Sequence, residues 1–262
     1  MTRSDLLDPD KITVRLKTRR VGRRVVVYDC TSSTNDIAAE YARNTDNDGL
    51  VVFAEAQTAG RGRTGAAWHS GHGESLLFSV VLTDCALANE LLSLSCGVAI
   101  AGAIGEVGGH TARTKWPNDI ILAGRKIAGI LVESKQSRTA RARIIGVGIN
   151  CHQTEEAFPP ELRHTAISLD QAARTRCNRV TLARRVLSSL DHWLTVAGQN
   201  GQRVIEAWDH LSTQLGQRIT VAYNGRTSTG HCIGVDPEKG LILQLDRGGV
   251  RMFDAAHTTI LK

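Results

Sequence analysis

The chain has no Cys-x-x-Cys pair, no signal peptide, no histidine spacing suited to a metal ion and no apolar run clean enough to cross a bilayer. Its six cysteines, Cys30, Cys85, Cys96, Cys151, Cys177 and Cys232, are scattered. That excludes a disulfide framework and leads us to expect a reduced, cytoplasmic setting. With nine histidines at no ligand spacing, no protein-held zinc is expected. The longest apolar stretch, residues 91–107, is short for a membrane span and holds Ser93, Ser95, Glu106 and three glycines, so it reads as a buried core helix. Also missing is the Gly-Lys-Ser or Gly-Lys-Thr that closes a P-loop. From Lys11 to Arg24 there is no acid among Arg15, Lys17, Arg19, Arg20 and Arg23. Such a run is either a solvated basic face or a surface for nucleic acid or an acidic protein. Too little chain precedes the first strand for a helix-turn-helix, so no sequence-specific DNA recognition is expected.

What is present is 262 residues with a modest net charge of +6, enough for a catalytic core and a small accessory module. The centre of the chain's chemistry is residues 57–70, Gln-Thr-Ala-Gly-Arg-Gly-Arg-Thr-Gly-Ala-Ala-Trp-His-Ser. Gly60, Gly62 and Gly65 let backbone approach an anion, and Arg61 and Arg63 can close over it, so the loop reads as a phosphate cradle or, failing that, a solvated turn. It follows an apolar run, residues 50–54, that reads as a buried strand.

Along the rest of the chain, Ile12, Val14 and Leu16 alternate with polar residues as a short strand or a helix lead-in. Residues 25–28 read as a strand. Ser33 with Asp36 fits a capping box, followed by a helical face of Ile37, Ala38, Tyr41 and Ala42. Strands are predicted over residues 76–82, 113–116, 120–122, 126–133 and 143–150, with a helix over 86–107. Ala123, Gly124 and Arg125 make a tight hairpin connection that leaves Lys126 at its mouth. Gly146 and Gly148 share one strand face and leave space for a planar group. Residues 151–165 read as a loop, a candidate to order over nucleotide. Helices are predicted over 168–174, over 182–196 with Thr181 as cap, and over 204–211. From Leu215 onward short strands with turn signals suggest a small barrel of about fifty residues. The fold class is therefore α+β: a mixed sheet packed with helices over residues 1–213, and a small β-domain over 214–262.

Further motifs are Ser33-Thr34-Asn35, Lys115-Trp116-Pro117-Asn118-Asp119, residues 124–133 from Gly124-Arg125-Lys126 to Glu133, and Gly146-Val147-Gly148-Ile149-Asn150. Together with the glycine loop, and in this order, they resemble the biotin protein ligases, from about Val25 to the C-terminus. The resemblance implies a class II synthetase-like catalytic domain with an SH3-like C-terminal domain. It implies ATP-dependent formation of biotinyl-5'-AMP and transfer of biotin to a lysine of a biotin carboxyl carrier protein such as the acetyl-CoA carboxylase subunit. The substrates are biotin and ATP with Mg2+ carried mainly by the nucleotide; the partners include no membrane and no specific DNA, and the protein is expected as a monomer or homodimer.

By resemblance, Ser33, Thr34, Asn35 and Gln57 line the biotin ureido pocket, with Arg61, Gly62, Arg63, Trp68, Lys126 and Gly129 completing the biotin site. Gly60, Arg61, Arg63, Lys115, Asn118, Lys126, Gly148 and Asn150 serve the nucleotide. Lys126 matches the catalytic lysine, a point charge for the biotin carboxylate and the α-phosphate, assisted by Arg61, Arg63 and Asp119. Read from the residues alone, several stay open. Ser33 and Thr34 can simply cap a helix, Asp119 can hold Lys126 or help bind magnesium, Trp68 and Trp116 can be core, and Asn150 can be a turn former. One departure stands out: where the family usually carries a third loop arginine this chain has Ala66. The rival readings are a lipoate-protein ligase and a non-catalytic regulator that binds biotinyl-AMP.

Overall fold

The computed structural model describes residues 5–109, 111–136 and 141–261. It begins with a short helix, α1 (Pro9–Thr13), in which Pro9 sits where no N–H is needed and Asp8 caps the N–H groups of Asp10 and Lys11. The alternation of Ile12, Val14 and Leu16 is thus no strand: Ile12 is buried and the helix stops one residue later.

The strands β1 (Val25–Thr31), β2 (Val51–Gln57) and β3 (Ser75–Thr83) bracket the helix α2 (Thr34–Tyr41) and the glycine loop. The long helix α3 (Asn89–Gly108) then leads to β4 (Arg113–Lys115), β5 (Asp119–Leu122), β6 (Arg125–Gln136) and β7 (Arg141–Asn150). These seven strands form one sheet in the order β1-β2-β3-β7-β6-β5-β4. Only β1 and β2 pair in parallel, so the sheet is mixed. Ala123 (φ 49°) and Gly124 (φ 76°) both take left-handed backbone in the two-residue turn between β5 and β6, the primed geometry that suits a twisted hairpin.

Three more helices follow, α4 (Leu169–Ala173), α5 (Arg179–Gln199) and α6 (Gly201–Leu211). Ser168 and Gln171 close a reciprocal capping box on α4. Helix α5 starts earlier than Thr181 suggested, because the Asn178 side chain accepts the Thr181 N–H at 2.8 Å and is itself the cap. Ser33 does precede α2, but its side chain makes no cap bond: Asp36 is engaged elsewhere. The chain ends in β8 (Arg218–Tyr223), β9 (Arg226–Asp236), β10 (Gly240–Leu245), β11 (Val250–Phe253) and β12 (Thr258–Leu261), an antiparallel sheet ordered β11-β10-β9-β8-β12.

Alternation along β7 decides what lies on each side of the large sheet. Ile145, Val147 and Ile149 join a core with Leu92, Cys96, Ile100 and Ile104 of α3 and Leu182, Val186 and Leu190 of α5. By length and composition α3 is apolar enough to cross a membrane, yet here it is the inner layer of this core. A second cluster joins α3 (Leu94, Val98), Trp116 and α6 (Val204, Trp208) to Val221, Leu241, Leu243 and Phe253 of the C-terminal sheet. Burying each such large side chain contributes about 1.5–3 kcal/mol, which seats the second sheet against the first.

Candidate active site

On the face of β7 away from α3 and α5, Gly146 and Gly148 leave room, and this chain fills that room with its own side chains. Asn35 lies over Gly146 and the Trp68 indole lies over Gly148. Gly129 is the direct cross-strand partner of Gly148 and sits under the same ring, so two glycines make a flat floor for one aromatic plate. A Cβ at Gly148 would come within 2.5 Å of Trp68 Cε2, which is why the position takes no larger residue without displacing the ring. Trp68 Nε1 is buried and has no partner among the described residues.

Beside the plate, the start of α2 carries a closed set of hydrogen bonds. Gln57 Oε1 accepts from the Thr34 N–H at 2.7 Å and from Thr34 Oγ1 at 3.0 Å. Ser79 Oγ bridges Thr34 Oγ1 and Asn35 Oδ1, and Asn35 Nδ2 donates to Glu133 at 2.9 Å. Ser33, Thr34 and Asn35 are each only 3% exposed, and the polar groups of Thr34 and Asn35 are oriented by Gln57, Ser79 and Glu133 rather than by water. The sequence carries no site signal for Ser79 or Glu133: Ser79 is one serine in an apolar strand, and Glu133 ends the stretch that begins at Gly124.

The glycine loop folds back on itself. Gly62 N–H donates to Ala66 O at 2.6 Å, Trp68 N–H donates to Gly60 O at 3.0 Å, and Thr64 (φ 53°) and Gly65 (φ 79°) turn through left-handed backbone. Both loop arginines are already engaged. Arg61 makes a bidentate pair with Asp36 at 2.6 and 2.9 Å, which holds the Asp36 carboxyl below its ordinary range. Arg63 donates to the backbone oxygen of Ala255, between β11 and β12. Burial pulls the Arg63 guanidinium down from its usual pKa, opposed by the charges of Glu90 and Asp119. Glu90 in turn accepts the Ala255 N–H at 2.8 Å, and burial pushes its carboxyl up.

Opposite the loop, Lys126 Nζ stands 2.6 Å from Asp119 Oδ1 as an ion pair and 5.8 Å from the centre of the Trp68 ring. Its backbone is pinned by the segment after the 151–165 loop: Lys126 N–H donates to Thr165 O and Lys126 O accepts from Ile167 N–H. Asn118 is fixed by bonds to and from the backbone of Ile130.

All of this surrounds one cavity of about 280 Å³. Ser33, Thr34, Asn35, Gln57, Arg61, Gly62, Arg63, Trp68, Lys115, Asn118, Asp119, Lys126, Gly129 and Gly148 line it. Gly60 and Asn150 do not. Gly60 accepts the backbone N–H of Trp68 through its carbonyl, and the buried Asn150 side chain donates to Ile167 O instead of facing the cavity. Thr258, Thr259 and Ile260 of β12 complete the wall, a contribution for which the sequence carried no signal.

Comparison with known proteins gives a consistent result. The Biotin/lipoate A/B protein ligase family matches residues 27–150. The "Bifunctional ligase/repressor BirA" of Bacillus subtilis (strain 168) is 33% identical over 253 residues, 95% of this chain and 78% of that protein. The "Biotin--[acetyl-CoA-carboxylase] ligase" of Mycobacterium tuberculosis is 32% identical over 262 residues, 95% of either chain. Among solved structures, the biotin protein ligase from Aquifex aeolicus in complex with biotin and ATP superposes with a TM-score of 0.79 at 24% identity, covering 92% of this chain and 99% of that one.

Proposed function

The chain belongs to the biotin protein ligase family, and from that premise we propose how its residues divide two half-reactions. In the first, a biotin carboxylate oxygen attacks the α-phosphorus of ATP and the bond to the bridging β-phosphate oxygen breaks, giving biotinyl-5'-AMP and pyrophosphate. In the second, a lysine amine of a biotin carboxyl carrier protein attacks the acyl carbon; AMP leaves with the electron pair of the C–O bond and the amine gives up its proton. Neither step needs a protein nucleophile. The enzyme has to position the reactants and stabilise charge.

The observation that carries this reading is the meeting of Lys126 and the glycine loop over one cavity, with the Trp68 plate between them. Lys126 serves the biotin carboxylate and the α-phosphate, held in place by Asp119. Ser33, Thr34, Asn35 and Gln57 take the polar ureido ring, and Trp68 with Gly129 covers the apolar part of biotin. Arg61, Arg63 and Lys115 face the phosphates, and Asn118 and Gly148 the nucleoside. In this conformation Arg61 is held by Asp36, so it joins the phosphates by exchanging one anion for another.

Asp119 is the one carboxylate in the lining, and Lys126 already neutralises it. This donor set does not fit a protein-held magnesium ion, and our reading is that magnesium arrives on ATP. We also read the protein as working without operator recognition, as a monomer or homodimer in the cytoplasm; a site-specific DNA footprint surviving physiological salt would overturn the first of these. The central test is to incubate the protein with biotin, magnesium-ATP and a carrier domain and look for a mass gain on one lysine, with lipoate replacing biotin as the control. Equal labelling with lipoate, or none with biotin, would reject the assignment.

A further inference from the structure

A second cavity lies far from this chemistry, where the segment after α1 meets the outer face of α5. It is a half-open depression of about 270 Å³ lined by Arg15, Leu16, Thr181, Arg184, Arg185 and Ser188, of which Arg15, Thr181, Arg185 and Ser188 are exposed. Thr181, Arg184, Arg185 and Ser188 follow an i, i+3, i+4, i+7 spacing and so share one helix face, opposite the face that buries Leu182, Val186 and Leu190 in the core. Arg15 closes the other side from a backbone held at φ 58°, a conformation a bulky residue rarely adopts. Leu16 beside it packs on Leu187 through Gly22, which fixes the seam.

The lining contains three guanidinium groups and two hydroxyls, and no acid. Among the described residues these arginines make one ion pair, between Arg185 and Glu106, 3.5 Å apart with both side chains more than 60% exposed, a contact that solvent screens. Arg184 Nε is buried without a hydrogen-bond partner among the described residues. Burying such a donor without compensation is unfavourable, and it points to an acceptor that the protein does not itself supply. Three guanidinium groups around one half-open depression, with two hydroxyls beside them and no acid, match a tetrahedral dianion whose several oxygens can take guanidinium forks together.

We propose that the cavity between Arg15 and α5 is a binding site for a phosphoryl dianion, separate from the ligase centre. It gives a use to Arg15 from the acid-free basic run, whereas Arg20 and Arg24 of that run are spent on Asp48 and Asn47. The two cavities share no lining residue, and α5 packs on the sheet face opposite Gly146 and Gly148.

The test follows the arginine Nε–H signals of the full-length 15N-labelled protein by NMR, with ionic strength held constant by chloride. Inorganic phosphate and O-phospho-L-serine are the probes: a preference for the first assigns the site to the free anion, a preference for the second to phosphoryl groups carried on larger molecules. A saturable shift of the Arg184 Nε–H signal is expected, weakened at least tenfold in Arg15→Gln; Arg184→Lys, read on the Arg15 and Arg185 Nε–H signals, is also impaired because it keeps charge and loses the fork. Biotin transfer by Arg15→Gln is expected to stay within about twofold of the parent. No saturable shift, a shift reproduced by chloride alone, or undiminished affinity in both Arg15→Gln and Thr181→Val would overturn the proposal. Loss of biotin transfer in Arg15→Gln would overturn the separateness of the site.

Discussion

One methyl group added at Gly148 probes the floor of the ligase cavity. An ideal Cβ there lies 2.5 Å from Trp68 Cε2, 2.7 Å from Cζ2 and 2.9 Å from Nε1. Ordinary carbon contacts are about 3.5–4.0 Å, so the indole has to move by roughly 1 Å. Toward β6 the same ring already lies close over the backbone of the paired Gly129, where an added Cβ would be 3.1 Å from Cζ3. The ring must lift into the cavity. Overpacking of this kind costs about 1–3 kcal/mol. Since the cavity can receive the ring, that cost falls on ligand binding more than on folding. Gly148→Ala should therefore raise the KM for biotin roughly five- to a hundredfold, with Tm shifted by no more than about 4 °C. A double-mutant cycle isolates the cause: in a Trp68→Ala background the struck group is gone, and Gly148→Ala should add little. An unchanged KM in the single variant, or the same penalty with and without Trp68, would refute the reasoning.

Lys126→Ala removes a charge-assisted contact worth about 1.5–3 kcal/mol, so pyrophosphate release should fall at least about tenfold with the fold intact; unchanged release from a folded variant dismisses the role. Arg63→Gly unties the glycine loop from Ala255 and should shorten the residence of biotinyl-5'-AMP roughly ten- to a hundredfold. The escaped intermediate would biotinylate serum albumin added as a bystander, and a streptavidin blot with label on the carrier alone rejects this. The Asp36 carboxyl, depressed below 3.8 by Arg61, keeps their pair intact at and above the ordinary carboxylate range and loses it only as pH falls through the depressed value. A carboxyl-carbon NMR titration of Asp36 with an ordinary midpoint would contradict the pairing. Arg179 is buried between Asp5 and Glu55, so Arg179→Ala strands two buried carboxylates. A loss of about 3–5 kcal/mol is expected, read as a Tm drop of roughly 2–4 °C per kcal/mol. A Tm within 2 °C or so of the parent would show that the network carries no stability.

Much of the fold was legible because its signals are local. Apolar alternation placed every strand from β1 to β7 to within a few residues, and the pattern around Val204 and Trp208 placed α6. Errors arose where two local signals competed: Thr181 and Asn178 are both good caps, and which one starts α5 depends on where the helix docks. At the N-terminus the pattern of Ile12, Val14 and Leu16 leaves a strand and a helix lead-in both open, and Pro9 preceded by the capping Asp8 decides for the helix.

By itself the sequence determined the family, the order of the motifs, the glycine loop and the lysine at the hairpin mouth, since each is a run of neighbouring residues whose chemistry depends on spacing alone. Only the tertiary structure decided how those parts are engaged. Arg61 turns to Asp36, 25 positions away, and Arg63 reaches Ala255, 192 positions away. Trp68 fills the space that Gly129 and Gly148 leave, and β12 supplies a wall of the cavity. Asn150 is drawn out of the site by Ile167. The Arg63–Ala255 bond and the β12 wall depend on how the second sheet is seated by Trp116, Trp208 and Phe253, a packing of residues from distant parts of the chain that no local period encodes.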